Sequence, residues 1–185
     1  MNLTDHFLLS MPQMLDPSFD HTLTYICDHD ERGALGLIVN RTLNLELGEV
    51  LEQMDINVDK PEIRHREVFE GGPVDPTHGL VLHLASAAKS WEMTHYFSND
   101  MCISSSRDIL QDIAIGKGPA NFLVALGHAG WGPGQLEAEL ADNAWLTCPA
   151  DPAIIFATPL EQRLEKAAES IGVNLHRLSI DTGHA

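Results

Sequence analysis

Thr22-Leu23-Thr24-Tyr25-Ile26-Cys27-Asp28-His29-Asp30-Glu31-Arg32-Gly33-Ala34-Leu35-Gly36-Leu37-Ile38-Val39 is the stretch that decides how the chain is read. Its first six residues are rich in β-branched and aromatic side chains, and its last five are largely apolar. Polar residues ending on a glycine separate the two runs, and that order predicts a β-hairpin. Further along, Leu47, Val50, Leu51 and Met54 recur at i, i+3, i+4 and i+7, the stripe of an amphipathic helix with Asn44 as its cap. A charged linker over residues 55–66 leads to Glu67-Val68-Phe69-Glu70 and then to Gly79-Leu80-Val81-Leu82-His83-Leu84. These two runs read as strands joined by Gly71-Gly72-Pro73-Val74-Asp75-Pro76. Residues 93–97 and 101–104 predict a second hairpin around Ser98-Asn99-Asp100. Ser105, with Asp108 three residues on and Ile109, Leu110 and Ile113 behind it, predicts a helix start rather than a nucleophile, since no GxSxG-type elbow surrounds the serines 104–106.

Toward the C-terminus, Phe122-Leu123-Val124-Ala125-Leu126 and Ala153-Ile154-Ile155-Phe156-Ala157 read as strands. Thr158 as N-cap, Pro159 at the first helical position and Glu161 as the return partner predict a capping box. Leu164, Ala167, Ala168 and Ile171 then form a buried stripe and Gly172 the stop. Hairpins mixed with isolated helices, without regular strand–helix alternation, point to an α+β fold. A length of 185 residues suits a single domain spanning 1–185.

Composition narrows the function classes. An apolar fraction of 44% beside 21% charged residues belongs to a globular chain. The short apolar patch Phe7-Leu8-Leu9 follows no basic leader, and no run reaches membrane-spanning length, so a cytoplasmic protein without membrane contact is expected. Three scattered cysteines, Cys27, Cys102 and Cys148, in apolar surroundings predict buried thiols rather than disulfides or a redox motif. A net charge of −16 repels phosphate backbones and argues against direct nucleic-acid binding. The basic cluster Lys60, Arg64, His65 and Arg66 is interrupted by Glu62, followed by Glu67, and reads as a solvated linker. None of the ten histidines falls in a zinc-binding spacing, so neither a metal nor another cofactor is expected.

Gly127-His128-Ala129-Gly130-Trp131-Gly132-Pro133-Gly134-Gln135 carries the strongest functional signal. Its glycines predict a tight turn leaving the strand, with Pro133 in the first turn of a short helix that carries Leu136 and Leu140 inward. It lacks the GxxxxGK and GxGxxG patterns, and no Lys or Arg occurs between Lys117 and Arg163, which argues against a nucleotide site. Trp131 reads equally as core or as a partly exposed anchor. Gln135 and Glu139 share a helix face, whereas Glu137 points elsewhere, and solvated carboxylates are the ordinary outcome for such a helix. His83 should face away from Leu82 and Leu84, toward solvent or a cleft.

The chain resembles the YqgE/AlgH family of bacterial proteins, whose biochemical activity is unassigned. The resemblance rests on Met11-Pro12, Asp16-Pro17-Ser18-Phe19, His29 with residues 33–41, Gly71-Gly72-Pro73-Val74, Leu82-His83, Gly127 with Ala129-Gly130-Trp131, Gly134-Gln135-Leu136-Glu137 and Asn143-Ala144-Trp145. These blocks cover nearly the whole chain in order. His128 stands where the family usually has Tyr, and the stretch 75–79 lacks the Arg that relatives tend to carry before the glycine. The resemblance implies a bifurcated sheet forming a pseudo-barrel, flanked by short helices. It also implies that Asn40, Arg41, the turn Gly71, Gly72 and Pro73, His83, and the loop Gly130, Trp131, Gly134, Gln135 and Glu137 gather at one place.

Three functions follow as expectations. The leading one is a non-catalytic module that binds a protein or small-molecule ligand through those residues and regulates indirectly. The second is a hydrolase-like enzyme with His83 or His128 as general base and loop amides as an anion hole. The third, a DNA-binding regulator, lacks a helix-turn-helix or a basic face.

Overall fold

The structure is a computed structural model that describes residues 2–97 and 100–175. The opening stretch forms the predicted hairpin from β2 (Leu23–Asp30) and β3 (Gly33–Ile38), with a turn confined to Glu31 and Arg32. Tyr25 opposite Leu37 and Thr24 opposite Ile38 set its register. On one side β2 pairs antiparallel with β1 (His6–Ser10), which pairs in turn with β10 (Trp145–Pro149). On the other side β3 pairs with β9 (Phe122–Trp131), and from there the sheet continues through β6 (Val74–Leu84) and β8 (Met101–Ser104) to β7 (Thr94–Tyr96). Beta7 and β8 are the second predicted hairpin; Ser98 and Asn99 of its turn lie outside the described residues. Beta4 (Thr42–Glu46) and β5 (Glu67–Glu70) form a branch that joins through β5 to β9.

The branching explains the glycines. In its first half β9 lies beside β5, with Ala125 level with Phe69 and Leu126 with Glu70. In its second half it lies beside β3, with Ala129 level with Gly36 and Trp131 with Ala34. The exchange of neighbour happens at Gly127, whose φ is 75°. There the chain at Gly71 and Gly72 passes so close that a Cβ on Gly71 would sit 2.1 Å from the Gly127 carbonyl oxygen, and one on Gly72 2.2 Å from the His128 carbonyl carbon. Side chains are excluded at this crossing, and the sheet curls into a half-barrel with a fork in it. The residues predicted as a tight turn are therefore mostly strand: β9 runs five residues past Leu126, and only Gly132, Pro133 and Gly134 turn. Pro133 precedes the helix α4 (Gln135–Ala141) rather than opening it, because Gly134 in the left-handed region caps it.

Several helix starts also differ from the sequence reading. Helix α1 (Leu47–Gln53) is capped by Glu46 in a reciprocal arrangement with Glu49, while Asn44 lies inside β4. The linker 55–66 contains the short helix α2 (Pro61–Arg64). Helix α3 (Arg107–Ala114) starts one residue later than predicted, from Ser106, and buries Ile109, Leu110 and Ile113. Residues 153–157 are not a strand: Asp151 accepts the Ala153 amide and Pro152 opens helix α5 (Pro152–Phe156). An N-cap carboxylate followed by proline outweighs a short apolar run that is equally compatible with either structure. The predicted Thr158 box does not form, because the Thr158 hydroxyl donates back to the Ala153 carbonyl. A 3-10 turn (Leu160–Gln162) precedes α6 (Arg163–Ser170), which buries Ala167 and Ala168 and leaves Ile171 37% exposed. Its end is as predicted: Gly172 has φ 73°, and the amides of Gly172 and Val173 return to the carbonyls of Glu169 and Ala168.

Apolar side chains collect in three clusters. One lies inside the curled sheet beneath α5 and α6, one between the β5, β6 and β9 strands and α1 and α3, and one around Phe19, Trp131, Leu136 and Trp145. The last of these builds the candidate site.

Candidate functional site

Trp131 is the last residue of β9, and alternation along the strand turns its indole inward to 5% exposure. Of the two readings of Trp131, the core one holds. Its ring stacks on Phe19 at 5.8 Å between centroids and meets Trp145 edge-on at 6.0 Å, while Phe19 and Trp145 meet edge-on at 5.3 Å. Glu139, one helical turn beyond Gln135, accepts both indole N–H groups on the same Oε2, at 2.9 Å from Trp131 and 2.8 Å from Trp145. Its Oε1 accepts the Gln135 amide at 2.9 Å, and Gln135 in turn accepts the Gly132 N–H at 3.0 Å. One carboxylate thus ties together β9, α4 and β10. This departs from a solvated acidic face, and the i, i+4 spacing of Gln135 and Glu139 was the available signal.

Outside this cluster lies a cleft of about 530 Å³, bounded by Trp131, Trp145, Phe19, Gln135 and Glu139 and by the segment from Gln13 to Asp16. Leu15 stands at its edge with 96% of its surface exposed. The lining carries Asp16, Glu139 and Asp142 and no Lys or Arg.

Asn40 and Arg41 support this cleft without lining it. The Asn40 side chain accepts the Leu23 amide at 2.7 Å and donates to the His21 carbonyl at 3.0 Å. Arg41 donates to the carbonyls of Ser18 (2.8 Å) and Asp20 (2.6 Å), and so holds the 3-10 turn Pro17–Phe19 that carries Phe19. The Arg41 carbonyl accepts the Glu70 amide, linking it to the glycine crossing at Gly71 and Gly72. Pro73 is exposed beside that crossing, and Gly130 lies against Val74. Gly134 supplies the left-handed cap.

Glu137 faces the other way, as expected of its position. It accepts the His29 Nε2–H at 2.9 Å, while the His29 Nδ1 accepts the Leu3 amide at 3.1 Å. Because a backbone amide only donates, His29 is the neutral Nε2–H tautomer in this arrangement. The Glu137 carboxyl is held below its usual range, first by its own backbone amide and also by His29.

His83 does not join this group. It pairs with Phe122, at the opposite end of β9 from Trp131, roughly 30 Å along the strand at about 3.3 Å per residue. Nor does it face solvent or a cleft, for it is 1% exposed under the edge of Trp91. Its Nδ1–H donates to the Leu84 carbonyl at 3.0 Å and its Nε2 meets the Ser104 hydroxyl at 2.8 Å. A Ser–His pair with a carbonyl behind the ring has the connectivity of a nucleophile and base. Ser104 is fully buried, however, and burial lowers the His83 pKa, so this pair has no route to a substrate. Of the loop amides expected to form an anion hole, that of Gly132 is taken by Gln135. All three cysteines are buried, with burial raising each thiol and holding Cys102 at about 11. Among the described residues no three His, Cys, Asp or Glu side chains gather as metal ligands, and no helix is long and apolar enough to cross a membrane.

Comparison with known proteins settles the kinship. A family model described as AlgH-like matches residues 7–176. This chain belongs to the AlgH-like family. A UPF0301 protein of Pseudomonas fluorescens is 50% identical over 184 residues, covering 99% of this chain and 96% of the relative. Another, from Nitrosospira multiformis, is 48% identical over 185 residues, covering 100% and 98%. Among solved structures, the solution structure of the AlgH protein from Pseudomonas aeruginosa superimposes with a TM-score of 0.82 at 48% identity, covering 100% of this chain and 97% of that one. A crystal structure of a Corynebacterium diphtheriae protein gives 0.76 at 18% identity, covering 96% and 91%, and shares the fold alone. The AlgH-like fold is therefore the forked half-barrel described above. Phe19, Glu139 and Trp145 are the members of its aromatic cleft that reading the sequence did not assign to the site.

Proposed function

We propose that the protein is a non-catalytic binding module that captures a short segment of a partner protein in the aromatic cleft and regulates indirectly, through that partner. The observation that carries this reading is the pairing of a rigid floor with an unsatisfied rim. Glu139 fixes two indoles at once, while Leu15 offers its whole side chain to water beside them. Apolar walls with a few fixed polar groups are what recognition sites share, and a pre-organised floor spares the partner much of the entropy cost of binding. Asp16, Glu139 and Asp142, with no cation in the lining, favour a segment that places an apolar side chain next to Lys or Arg. The net charge of −16 supports a basic partner and opposes duplex DNA.

Trp131 itself is a poor probe, because emptying a packed site of this kind costs about 3–5 kcal/mol of stability. The rim is the place to test. Short peptides selected by display against the full chain should be enriched in an apolar residue beside Lys or Arg, and their titration should change tryptophan emission. Leu15→Asp and Asp142→Lys should each weaken the selected peptide at least tenfold while melting like the unsubstituted protein. Equal binding by both variants, or selection of peptides without a basic residue, would remove the proposal.

A further inference from the structure

A second cleft, of about 610 Å³, opens where β5, the start of β9, α5 and α6 meet, at the end of β9 opposite to Trp131. Its chemistry is the reverse of the first. Arg163 enters from the start of α6, and its guanidinium is immobilised by donating Nε–H to the Thr158 carbonyl (3.1 Å) and Nη1–H to the Val39 carbonyl (2.6 Å), with Cζ 5.3 Å from the centre of the Phe69 ring. Arg66 enters from the residue before β5 and lies over Phe122 at 4.2 Å, with one long hydrogen bond of 3.4 Å to the Phe122 carbonyl. Among the described residues neither guanidinium has a carboxylate within 4 Å, and the Nη2 of each has no hydrogen-bond partner.

In a chain where 27 acidic residues face 11 Lys and Arg, Arg32, Arg41, Arg64, Lys89 and Lys166 have a carboxylate partner; among the described residues Arg66 and Arg163, like Lys60, Arg107 and Lys117, do not, but these two share one cleft. Partial loss of water lowers the pKa of both arginines from the usual value, more of Arg163 being covered while Arg66 keeps an exposed surface, and no anion offsets it in either case. His65, also at the cleft, is answered by Glu46 at 3.0 Å. Glu67 is the single carboxylate in the lining, and it acts on Arg163 from beyond ion-pair distance.

We infer that this cleft binds a small organic anion, with one carboxylate or phosphate group held between Arg66 and Arg163 and an apolar body lying against Phe69, Phe122 and Ile155. Planar guanidiniums with free N–H edges suit a two-oxygen head group. The volume is that of an ordinary ligand pocket. Glu67 repels further negative charge, which selects one anionic group over a polyphosphate or a nucleic-acid strand.

The inference is independent of the aromatic cleft. It is tested by titrating the isotope-labelled full chain with phenyl phosphate and with phenylacetate, following amide shifts, beside inorganic phosphate and benzyl alcohol as the two halves of the ligand. At least one organic anion should saturate, with shifts concentrated at residues 65–69, 122–124 and 155–163, and each half should bind at least tenfold more weakly. The tighter of the two names the head group. Arg66→Gln, at an exposed position, should weaken binding about tenfold or more without altering the melting temperature, and Arg163→Gln should do at least as much. Leu15→Asp and Asp142→Lys should leave it unchanged. No saturation by either organic anion, equal binding of inorganic phosphate, or full affinity in Arg66→Gln would overturn the inference.

Discussion

Thr24 and His83 are two buried polar residues with opposite fates. The Thr24 hydroxyl, on β2 between β1 and β3, is fully buried and has no hydrogen-bond partner among the described residues. Such a group retains its desolvation cost without recovering it, and a methyl of the same shape removes that cost. Thr24→Val should therefore stabilise the protein by about 1 kcal/mol, read as a higher midpoint in urea at unchanged slope; a lower midpoint would mean that the hydroxyl has a partner in solution. His83 is satisfied at both nitrogens, and burial pushes its pKa below the ordinary 6.5. In the unfolded chain it takes up a proton as pH falls through that ordinary value, while in the folded chain it resists. The unfolded state then binds more protons, so stability should fall on acidification below about pH 6.5. His83→Gln should flatten this part of the profile even if it lowers stability throughout; parallel profiles from pH 8 to 5 would show that His83 takes no part.

At the scale of elements, what was legible was periodicity and what was lost was context. The hairpin of β2 and β3 followed from composition alone because both strands are long and their turn is polar. The stripe of α1 was equally visible, although its cap was misplaced, since Glu46 makes a capping box without the usual Ser or Thr. Strand β9 was cut short because glycines ordinarily punctuate, and nothing local shows that Gly71, Gly72 and Gly127 serve a close crossing of two backbones. For the same reason the cleft was half seen. Trp131 and Gln135 stand in the conspicuous loop, but the carboxylate that organises them is on the helix after it and the third ring is on β10. Glu139 offers the corresponding test. Glu139→Ala leaves two nearly buried indole N–H groups without an acceptor and should cost about 2–6 kcal/mol at roughly 1–3 kcal/mol for each buried unsatisfied group. Glu139→Gln keeps one acceptor oxygen and should recover part of that loss. Chemical denaturation of both variants checks the order, and equal loss in the two would mean that the negative charge, rather than the shared acceptor, holds the indoles.

Over the whole molecule the governing quantity is charge, which the sequence states in full and whose placement only the fold reveals. The two clefts at either end of β9 have opposite character, one edged by carboxylates and the other holding two arginines that have no carboxylate partner among the described residues. Elsewhere the acidic residues are mostly exposed, and a net charge of −16 on a curled sheet of this size works against the compact state. The exposed pairs such as Arg32–Asp30 and Lys166–Glu169 oppose this only weakly, since ion pairs held in water gain little and are themselves screened by salt. Raising salt shortens the Debye length from roughly 20–30 Å at about 0.01–0.02 M to below 5 Å at about 0.5 M, and suppresses repulsion summed over many carboxylates as well as attraction within a few pairs. Repulsion involves more partners, so its loss should dominate: the melting temperature should rise by several degrees over that range in sodium chloride, an anion–cation pair chosen because it is less excluded from protein surfaces than sulfate or phosphate. A melting temperature that falls with chloride would place the weight on the ion pairs instead. A rise in phosphate beyond that in chloride, present in the unsubstituted protein and lost in Arg66→Gln, would point to occupancy of the arginine cleft, because surface exclusion of phosphate acts on both proteins alike whereas an anion that binds only the folded state stabilises it by an amount that grows with the logarithm of its concentration over its dissociation constant.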